Sequence, residues 1–516
     1  MSSPPSAHRA YRAACPNCGA PVEFASAASA SAVCGYCRST LVREGEALRR
    51  IGVSAELFDD HSPLQLGASG TYQGVAFTLV GRLQYSYAAG TWNEWHALFD
   101  GAPGGQRSGW LSEDNGAYVL AFEAASPGDA PADAAAALRL PVGQPLVVDG
   151  RAWTLASVVR AHLIAAQGEL PAAPRLQGEF VVAELRNVQD EVGSLDYSDA
   201  AHPAWSIGRP VRLAELRMSG MAQATSEKTL AGRSLECPGC GAALPIRLST
   251  TQAIACPQCH TVTDVSQGVG GELEHYAQNN AGEGGLMPLI PLGRSGTLAL
   301  GTEEAEPWQV VGYLERCDLP DPDDDEEQVF WREYLLYHRE LGFAFLVDSE
   351  EDGWSWVRPI TGTPTGRGKR VSWRGIGYEL RASYRAKVSW VLGEFYWRVR
   401  RGEEARVLDY VGSGKGSVGR LSCEQSAGEL VWSAGRTIAS DVVAKAFGIT
   451  DAAALRRDVK PLSATPSGGW RQTLFFVLIV VLLLALETCS DDDSGSGSRS
   501  GGGSFGGFSS GGGGHK

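Results

Sequence analysis

The sequence predicts a mainly β protein with two tandem copies of one arrangement and a C-terminal transmembrane helix. Each copy is a small cysteine-held ribbon followed by a small-sheet or barrel-like β module. Three observations support this prediction. The stretch CPNCGAP at Cys15–Pro21 returns as CPGCGAA at Cys237–Ala243. The residues behind each copy also repeat, and they alternate between bulky and polar side chains. Near the end of the chain lies the unbroken apolar run LFFVLIVVLLLAL.

Each copy opens with two Cys-x-x-Cys pairs that are separated by fifteen residues. Two residues between cysteines let both thiolates reach one ion, and four thiolates complete a closed tetrahedral site. Such a site leaves no position for water or substrate, so we expect a structural role. Zinc is the expected metal, and iron is its competitor for four thiolates. We predict zinc ribbons over residues 10–45 and 233–266, with these ligands: Cys15, Cys18, Cys34, Cys37, Cys237, Cys240, Cys256 and Cys259.

The repeat continues past the cysteines in the same order. WNEW at Trp92–Trp95 lies opposite WREY at Trp331–Tyr334. Further on, Gly150–Leu170 aligns without gaps on Gly375–Phe395. A constant order over such a separation indicates an internal duplication, which has to be settled before any fold is assigned. The predicted β modules are residues 60–220 and 285–450.

The period inside these blocks is close to two, which is typical of half-buried strands. A weaker repeat divides each module: Gly67–Leu79, Gly143–Leu155 and Gly368–Leu380 share their glycine and apolar spacing. The segment that begins at Gly293 keeps the first glycine and is stretched afterwards. The sequence therefore predicts two halves per module, at about 60–125 and 138–220, then 285–362 and 366–450. The best helix candidate is Asp441–Arg457, which we expect to link module 2 to the membrane.

Charge and composition restrict the partners and the compartment. The net charge is −14, with 45 Lys and Arg against 59 Asp and Glu. Duplex binding depends on clustered cations, so nucleic acid is not an expected partner. Eight of the eleven cysteines fall into Cys-x-x-Cys pairs. In a long chain this spacing indicates metal binding in a reducing compartment.

The apolar run at Leu474–Leu486 predicts a single membrane span over residues 470–489, although a buried core helix is the alternative for so short a run. The residues that follow, 490–516, are rich in Gly and Ser and cannot form a core, so we expect a disordered tail. Cationic residues precede the span and three aspartates follow it. The positive-inside rule then predicts a bulk that is cytoplasmic and a tail that is outside.

These blocks resemble a known family. GEFYW at Gly393–Trp397, WSAGR at Trp432–Arg436 and AFGI at Ala446–Ile449, behind a zinc ribbon, resemble the bacterial domain of unknown function 4178. The membrane span and the glycine-rich tail look similar too. The resemblance implies a membrane-associated bacterial protein, often encoded near genes of membrane stress and polyamine metabolism. It implies no established reaction.

Candidate ligand- or partner-binding residues are acids and aromatics at repeated positions. Glu169 and Glu394 occupy aligned Gly-Glu pairs, where a carboxylate can act as acid or base or can hold a cation. A solvated acid at a strand-edge turn is the alternative. Trp205, Trp432 and Trp397 either pack in a core or line a groove. No catalytic residue is predicted. No role is assigned to three further cysteines: Cys317, Cys423 and Cys489.

Two functions remain open at this point. The leading hypothesis is a non-enzymatic, membrane-anchored scaffold or sensor that binds a protein partner or a small ligand, in connection with bacterial envelope stress. The alternative is an enzyme or binder that acts on a small cationic metabolite, such as a polyamine, through acidic residues of the β modules.

Overall fold

Each duplicated unit folds into an eight-stranded β-barrel with a short ribbon sheet attached to one of its strands. The computed structural model describes residues 11–24, 31–44, 47–53, 62–88, 90–102, 105–114, 117–174, 178–199, 203–222, 235–244, 246, 251, 253–265, 275–276, 278, 288–319, 328–338, 341–414, 417–426 and 428–457. The elements of the first unit are β1 (Tyr11–Ala14), β2 (Pro21–Phe24), β3 (Ser31–Val33), β4 (Ser39–Glu44), β5 (Ala47–Val53), β6 (Ser69–Tyr72), β7 (Val75–Tyr87), β8 (Gly90–Ala102), β9 (Gly105–Asp114), β10 (Ala117–Ala124), α1 (Ala134–Leu138), β11 (Pro145–Val148), β12 (Arg151–Leu170), β13 (Phe180–Arg186), β14 (Val192–Asp196) and β15 (Ala204–Val211).

The elements of the second unit repeat this series with small additions. They are β16 (Leu235–Glu236), β17 (Ala243–Leu244), β18 (Ala253–Ala255), β19 (Val262–Asp264), β20 (His275–Tyr276), β21 (Ser295–Leu298), β22 (Glu306–Asp318), β23 (Phe330–His338), β24 (Gly342–Ser349), β25 (Gly353–Ile360), β26 (Thr365–Arg367), β27 (Arg370–Trp373), β28 (Ile376–Phe395), β29 (Glu404–Gly412), β30 (Gly419–Gln425), β31 (Leu430–Thr437) and α2 (Ser440–Phe447).

Both barrels close in the same way. Barrel 1 has the strand order β7-β8-β9-β10-β15-β14-β13-β12, and β12 pairs back onto β7. Barrel 2 has the equivalent order β22-β23-β24-β25-β31-β30-β29-β28, and β28 pairs back onto β22. Closure removes the free strand edges that an open sheet would present. The predicted mainly β class and the duplication are confirmed, and each β module is a barrel, not an open sheet.

Each barrel consists of two similar four-stranded meanders. In both meanders of barrel 1 the first long strand carries a β-bulge just after an equivalent leucine, Leu79 in β7 and Leu155 in β12. Barrel 2 has bulges at the matching positions of β22 and β28. The amide of Gly67 donates to the carbonyl of Leu79 at 2.8 Å, and that of Gly143 donates to Leu155 at 2.8 Å. Gly293 makes the equivalent bond at 2.7 Å, so the stretched fourth segment belongs to the same repeat.

The C-terminal helix is shorter than expected and lies against the barrel. Helix α2 ends at Phe447, because Gly448 adopts a left-handed conformation with φ of 61°. The buried side chains of Val443 and Phe447 pack on the outer face of barrel 2 with Trp308. The predicted helix over Asp441–Arg457 is therefore wrong after Phe447, and the link from module 2 to the membrane stays a prediction.

The predicted transmembrane segment 470–489 and the tail 490–516 lie outside the described residues. Within the described part of the chain, no helix has the length and apolar character needed to cross a bilayer.

The two barrels contact each other directly. The Gln425 side chain donates to the carbonyl of Val142 at 3.0 Å, and Arg186 donates to the carbonyl of Ile360 at 3.2 Å. Glu429, in the turn between β30 and β31, forms an isolated bridge with Ser157 of β12. A turn of barrel 2 therefore packs against the wall of barrel 1.

Candidate metal centres

The structure gathers the eight predicted cysteine ligands into two four-thiol clusters. In each cluster the four Sγ atoms lie within 4.8 Å of one another. Sγ of Cys15 is 3.6 Å from that of Cys37, and Sγ of Cys18 is 3.7 Å from that of Cys34. The equivalent separations in the second cluster are 3.6 and 3.7 Å. A tetrahedral ion with metal–sulfur bonds of about 2.3 Å needs sulfurs about 3.8 Å apart, so both clusters fit one such ion.

Four similar turns place these sulfurs. In the first knuckle of each ribbon, Gly19 and Gly241 adopt φ of 75° and 74° and donate their amides to the carbonyls of Cys15 and Cys237. The second knuckles have the same turn without a glycine. Arg38 and His260 adopt the left-handed region there, with φ of 55° and 59°. A knuckle therefore tolerates the strain of about 1–2 kcal/mol that a side chain adds in this conformation.

A hydroxyl group accompanies the last cysteine of each cluster. Sγ of Cys37 lies 3.2 Å from Oγ of Ser39, and Sγ of Cys259 lies 3.2 Å from Oγ1 of Thr261. Hydrogen bonding by Ser39 lowers the pKa of the Cys37 thiol, and Thr261 does the same for Cys259. A lower pKa favours the thiolate, which is the form that binds metal. A Ser or Thr two positions after the last cysteine is a further sequence signal, which the prediction from Cys-x-x-Cys spacing did not include.

The ribbons have little core of their own. The buried cluster of ribbon 1 consists of six residues, two of which are the ligands Cys15 and Cys34. A core this small contributes little stability, so the ribbon depends on its attachment to the barrel and on any ion that the four thiols hold.

Each ribbon is attached to its barrel through strand pairing. Strand β3 pairs with the last residues of β12, with Ala32 opposite Glu169. Strand β18 pairs with the end of β28, with Ile254 opposite Glu394. The next residue but one after Ile254 is the ligand Cys256, and Cys34 lies equally close to Ala32. The long strands β12 and β28 thus each run from the barrel wall to a ribbon, next to its four-cysteine cluster.

The two Gly-Glu pairs form this junction. Glu169 and Glu394 are 8% and 6% exposed, so neither is a solvated acid at a turn. Thr251 donates to Oε2 of Glu394 at 2.7 Å, and the backbone carbonyl of Glu169 lies 2.9 Å from Nδ1 of His96. Gln278 also bridges ribbon and barrel, because its side chain bonds to the carbonyls of His260 and Val391.

The predicted aromatic residues lie in three separate cores. Trp397 packs in barrel 2 beside Phe395, with ring centroids 5.0 Å apart. Trp205 packs edge-on against Trp153 on barrel 1, and Trp432 belongs to an outer cluster of barrel 2. The structure brings Trp397 near the Glu394 junction and does not gather Trp205, Trp432 and Glu169 around one groove.

Sequence reasoning missed a charged core inside barrel 2. The guanidinium of Arg316 donates to both carboxylate oxygens of Glu424, at 2.8 and 3.1 Å, and lies 3.5 Å from Glu333. Arg316 and Glu333 are fully buried. Burial raises the pKa of Glu333 to about 8, and Arg316 opposes this rise. The repeat contained a signal for it, since WNEW and WREY both place a glutamate two residues after a tryptophan.

The Trp-x-Glu arrangement recurs in both barrels. The indole of Trp92 donates to Glu94 at 3.2 Å, and that of Trp331 donates to Glu333 at 2.8 Å. Cys423 and Cys317 are buried in barrel 2, and burial raises the pKa of Cys423 to about 12. Cys489 lies outside the described residues.

Comparison with known protein families matches residues 65–213 and 299–440 to the domain of unknown function DUF4178. No curated protein and no solved structure matches the chain. The first matched region contains β6 to β15 and the second contains β22 to β31, so the match coincides with the two barrels. These regions make up more than half of the sequence. The chain therefore belongs to the DUF4178 family and contains two copies of this domain.

Proposed function

We propose that this protein is a non-catalytic scaffold or sensor, in which two metal-held ribbons keep the ends of two barrels in place for binding a protein partner or a small ligand. The single observation that supports it best is the strand pairing of each ribbon with its barrel beside a four-thiol cluster. A closed four-thiolate site is structural, because no coordination position remains for a substrate. The family description also names no reaction.

Metal analysis of the full-length chain tests the role of the ribbons. We expect two zinc ions per chain, and one in each of the variants Cys34→Ser and Cys256→Ser, with a lower melting temperature in both. Cys423→Ser is the matched control, because this buried cysteine lies outside both clusters and should leave the metal content unchanged. Iron in place of zinc would change the metal and keep the role. A fully folded chain without metal would contradict the proposal.

The scaffold is proposed to be tethered to a bacterial membrane by residues 470–489, with its bulk in the cytoplasm and its tail outside. The apolar run, the flanking charges and the family resemblance support this location. Deletion of 470–489 should move the chain from the membrane fraction to the soluble fraction. The tail should be accessible to protease only from outside the cell. Carbonate extraction of the intact chain from membranes would argue against the span.

A binder of small cationic metabolites is the second candidate. Its predicted residues Glu169 and Glu394 are buried at the ribbon junctions, which argues against direct contact with a ligand. Calorimetric titration of the full chain with spermidine, compared with Glu394→Gln, distinguishes the two candidates. Binding that this variant abolishes while its melting temperature stays unchanged would favour the polyamine function. Nucleic acid remains an unexpected partner, and retention on DNA or RNA would contradict that expectation.

A further inference from the structure

An open groove on the outer wall of barrel 1 lies between the β6–β7 turn and the strands β9, β10 and β15. Its volume is about 190 Å³. A cavity of roughly 150 Å³ is enough for one benzene ring. The groove therefore has room for a single ring with a small polar group. Its lining combines rings, apolar chains and cations, and includes Tyr72, Gln73, Arg107, Leu120, Phe122 and Arg209.

Arg107 supplies a cation that no acid neutralises within the described part of the chain. Its guanidinium carbon lies 3.9 Å from the centre of the Phe122 ring, and this contact is the one interaction of its side chain there. A guanidinium on the face of a ring keeps its in-plane N–H donors, whose fork matches a carboxylate. The Arg107 side chain is exposed, so such an anion can reach it from solvent.

The other lining residues differ in how far they are already engaged. Arg209 donates to Oε1 of Glu191 at 2.8 Å, and 51% of its side chain is exposed. The charge of Arg209 is thus shared with an acid of the same barrel, which leaves Arg107 as the principal anchor for an anion. The Tyr72 ring lies 6.3 Å from the Phe122 ring at a tilt of 34°. These two rings, with the buried Leu120, give the groove an apolar and aromatic part.

The equivalent place on barrel 2 contains a larger side chain. Leu120 pairs with Arg209, and Trp356 pairs with Arg436 of the matching Trp-Ser-x-Gly-Arg block, so Trp356 occupies the position of Leu120. The Trp356 ring is buried, and the guanidinium carbon of Arg436 lies 5.9 Å from its centroid. In barrel 2 an indole therefore fills space that a leucine leaves open in barrel 1.

A longer connection covers the rest of that place on barrel 2. Residues 299–305 join β21 to β22, whereas residues 73–74 join β6 to β7. Within the longer connection Leu300 is buried, and a Cβ at Gly301 would lie 3.2 Å from the Trp356 ring. Both barrels have the same fold, so the groove of barrel 1 is not a requirement of that fold.

We propose that this groove binds a small aromatic carboxylate, with the carboxylate on Arg107 and the ring against Tyr72, Phe122 and Leu120. Rings favour tilted or offset contacts with other rings, and a guanidinium binds a carboxylate through two parallel N–H donors. One unshared guanidinium matches one negative charge, and the net charge of −14 opposes anions of higher charge. The inference rests on the proposed role in ligand binding and names the ligand class, whose charge is opposite to that of a polyamine.

Calorimetric titration of the detergent-solubilised full chain with benzoate tests the site. We expect saturable binding at one site per chain. Benzamide lacks the charge and acetate lacks the ring, so both should bind about tenfold more weakly or worse. Arg107→Gln should lower the affinity for benzoate by about tenfold or more. Arg107→Lys should retain part of the affinity, because lysine keeps the charge but not the fork.

A second variant fills the groove without changing its charge. Leu120→Trp introduces the residue that barrel 2 has and should abolish benzoate binding. Arg160→Gln is the matched control for Arg107→Gln, because Arg160 is exposed on β12 and the change in charge is the same. This control should bind benzoate as the wild type does. Melting temperature and metal content are measured for every variant, so that a folding defect is separated from loss of the site.

Three results would overturn the proposed site: a wild-type chain that contains its metal and does not bind benzoate, benzamide or acetate that binds as tightly as benzoate, or an Arg107→Gln chain with unchanged affinity. The first of these would leave the scaffold role of the ribbons intact. A folded chain without metal that still binds benzoate would contradict that role and support the groove.

Discussion

The hydroxyl of Thr251 donates a 2.7 Å hydrogen bond to Oε2 of Glu394, and both residues are buried. Thr251 lies within ribbon 2, just before β18, and Glu394 belongs to the end of the barrel strand β28. The bond joins the two parts at the place where Ile254 pairs with Glu394. A carboxylate that the sequence left open as a solvated acid is thus part of the attachment of a four-cysteine ribbon.

Removal of this donor should destabilise the attachment. Thr251→Val leaves the buried carboxylate without its hydroxyl partner, so we expect a loss of about 1–3 kcal/mol in the free energy of unfolding. Glu394→Gln retains an acceptor and should cost less. Urea unfolding followed by tryptophan fluorescence measures both. Glu179→Gln, at an exposed position just before β13, is the control and should change nothing. Equal stability of Thr251→Val and wild type would contradict the structural role.

The glycine before Glu394 should not tolerate a side chain. Gly393 has φ of 85°, and a Cβ there would lie 2.3 Å from the carbonyl oxygen of Val311. Gly402 has nearly the same φ of 81°, with nothing within 4 Å of its Cβ position. Gly402→Ala should cost about 1–2 kcal/mol for the left-handed backbone alone. Gly393→Ala should cost about 1–3 kcal/mol more, because the clash adds to it. If the two variants melt at the same temperature, the close approach of β22 and β28 is not the reason why position 393 requires a glycine.

Removing only the cation of the buried group Arg316, Glu333 and Glu424 should destabilise barrel 2 more than replacing all three charged side chains. Arg316→Met leaves Glu333 and Glu424 buried without their cation, and we expect a loss of about 3–5 kcal/mol in the free energy of unfolding. The triple variant Arg316→Met, Glu333→Gln, Glu424→Gln should recover most of this loss. Arg385→Ala removes an exposed ion pair with Glu404 and should cost less than about 1 kcal/mol. A triple variant no more stable than Arg316→Met would show that the arginine matters for its shape and not for its charge.

Stability should depend on pH through the contact between the barrels. Burial raises the pKa of Asp114 to about 7 and that of Glu429 to about 8, with Glu184 adding to both and Arg186 opposing both. These values lie above those of the unfolded chain, about 4. The folded state therefore favours the protonated acids, and their contribution to stability is largest below pH 4 and is lost as the pH rises through 7 and 8.

Urea unfolding between about pH 6.5 and 9 measures the last part of this loss, which should level off above about pH 8, and Glu429→Gln should reduce its slope. Burial lowers the pKa of His96, so the titration of this residue changes the stability only below about pH 6.5, outside this window. Glu123→Gln, at an exposed position of barrel 1, is the control and should keep the wild-type slope. A stability that rises with pH over the same range would mean that Asp114 and Glu429 are ionised in the folded protein.

The strands, the duplication and the two four-cysteine clusters could be predicted because their signals are local. Alternation of side chains, glycines at turns and Cys-x-x-Cys spacing each follow from contacts between near neighbours. Barrel closure is different, since it depends on pairs such as His162 with Ser86 that no short pattern records. The end of α2 at Gly448 was missed because the apolar pattern continues through Leu455, which is buried from a turn and not from a helix.

The charged interior escaped prediction for a related reason. Glu333 lies between Trp331 and Leu335 on the face of β23 that points into the barrel, and in a two-residue period an acid on that face is an exception. Its burial depends on the indole of Trp331 and on the guanidinium of Arg316 from a neighbouring strand. The buried state of Glu394 depends likewise on Thr251, which is 143 residues away. Long-range partners decide the environment of an acid, and a single sequence does not display them.

The equivalent bulges of the four meanders, and the glycine bond that three of them share, have a consequence for the origin of the fold. One meander alone has two edge strands whose backbone groups lack partners, and it satisfies them only against another meander. A polypeptide of that size would therefore need a second copy to close a barrel. Joining two meanders in one chain replaces that concentration-dependent association by a covalent link and leaves each quarter able to diverge in sequence.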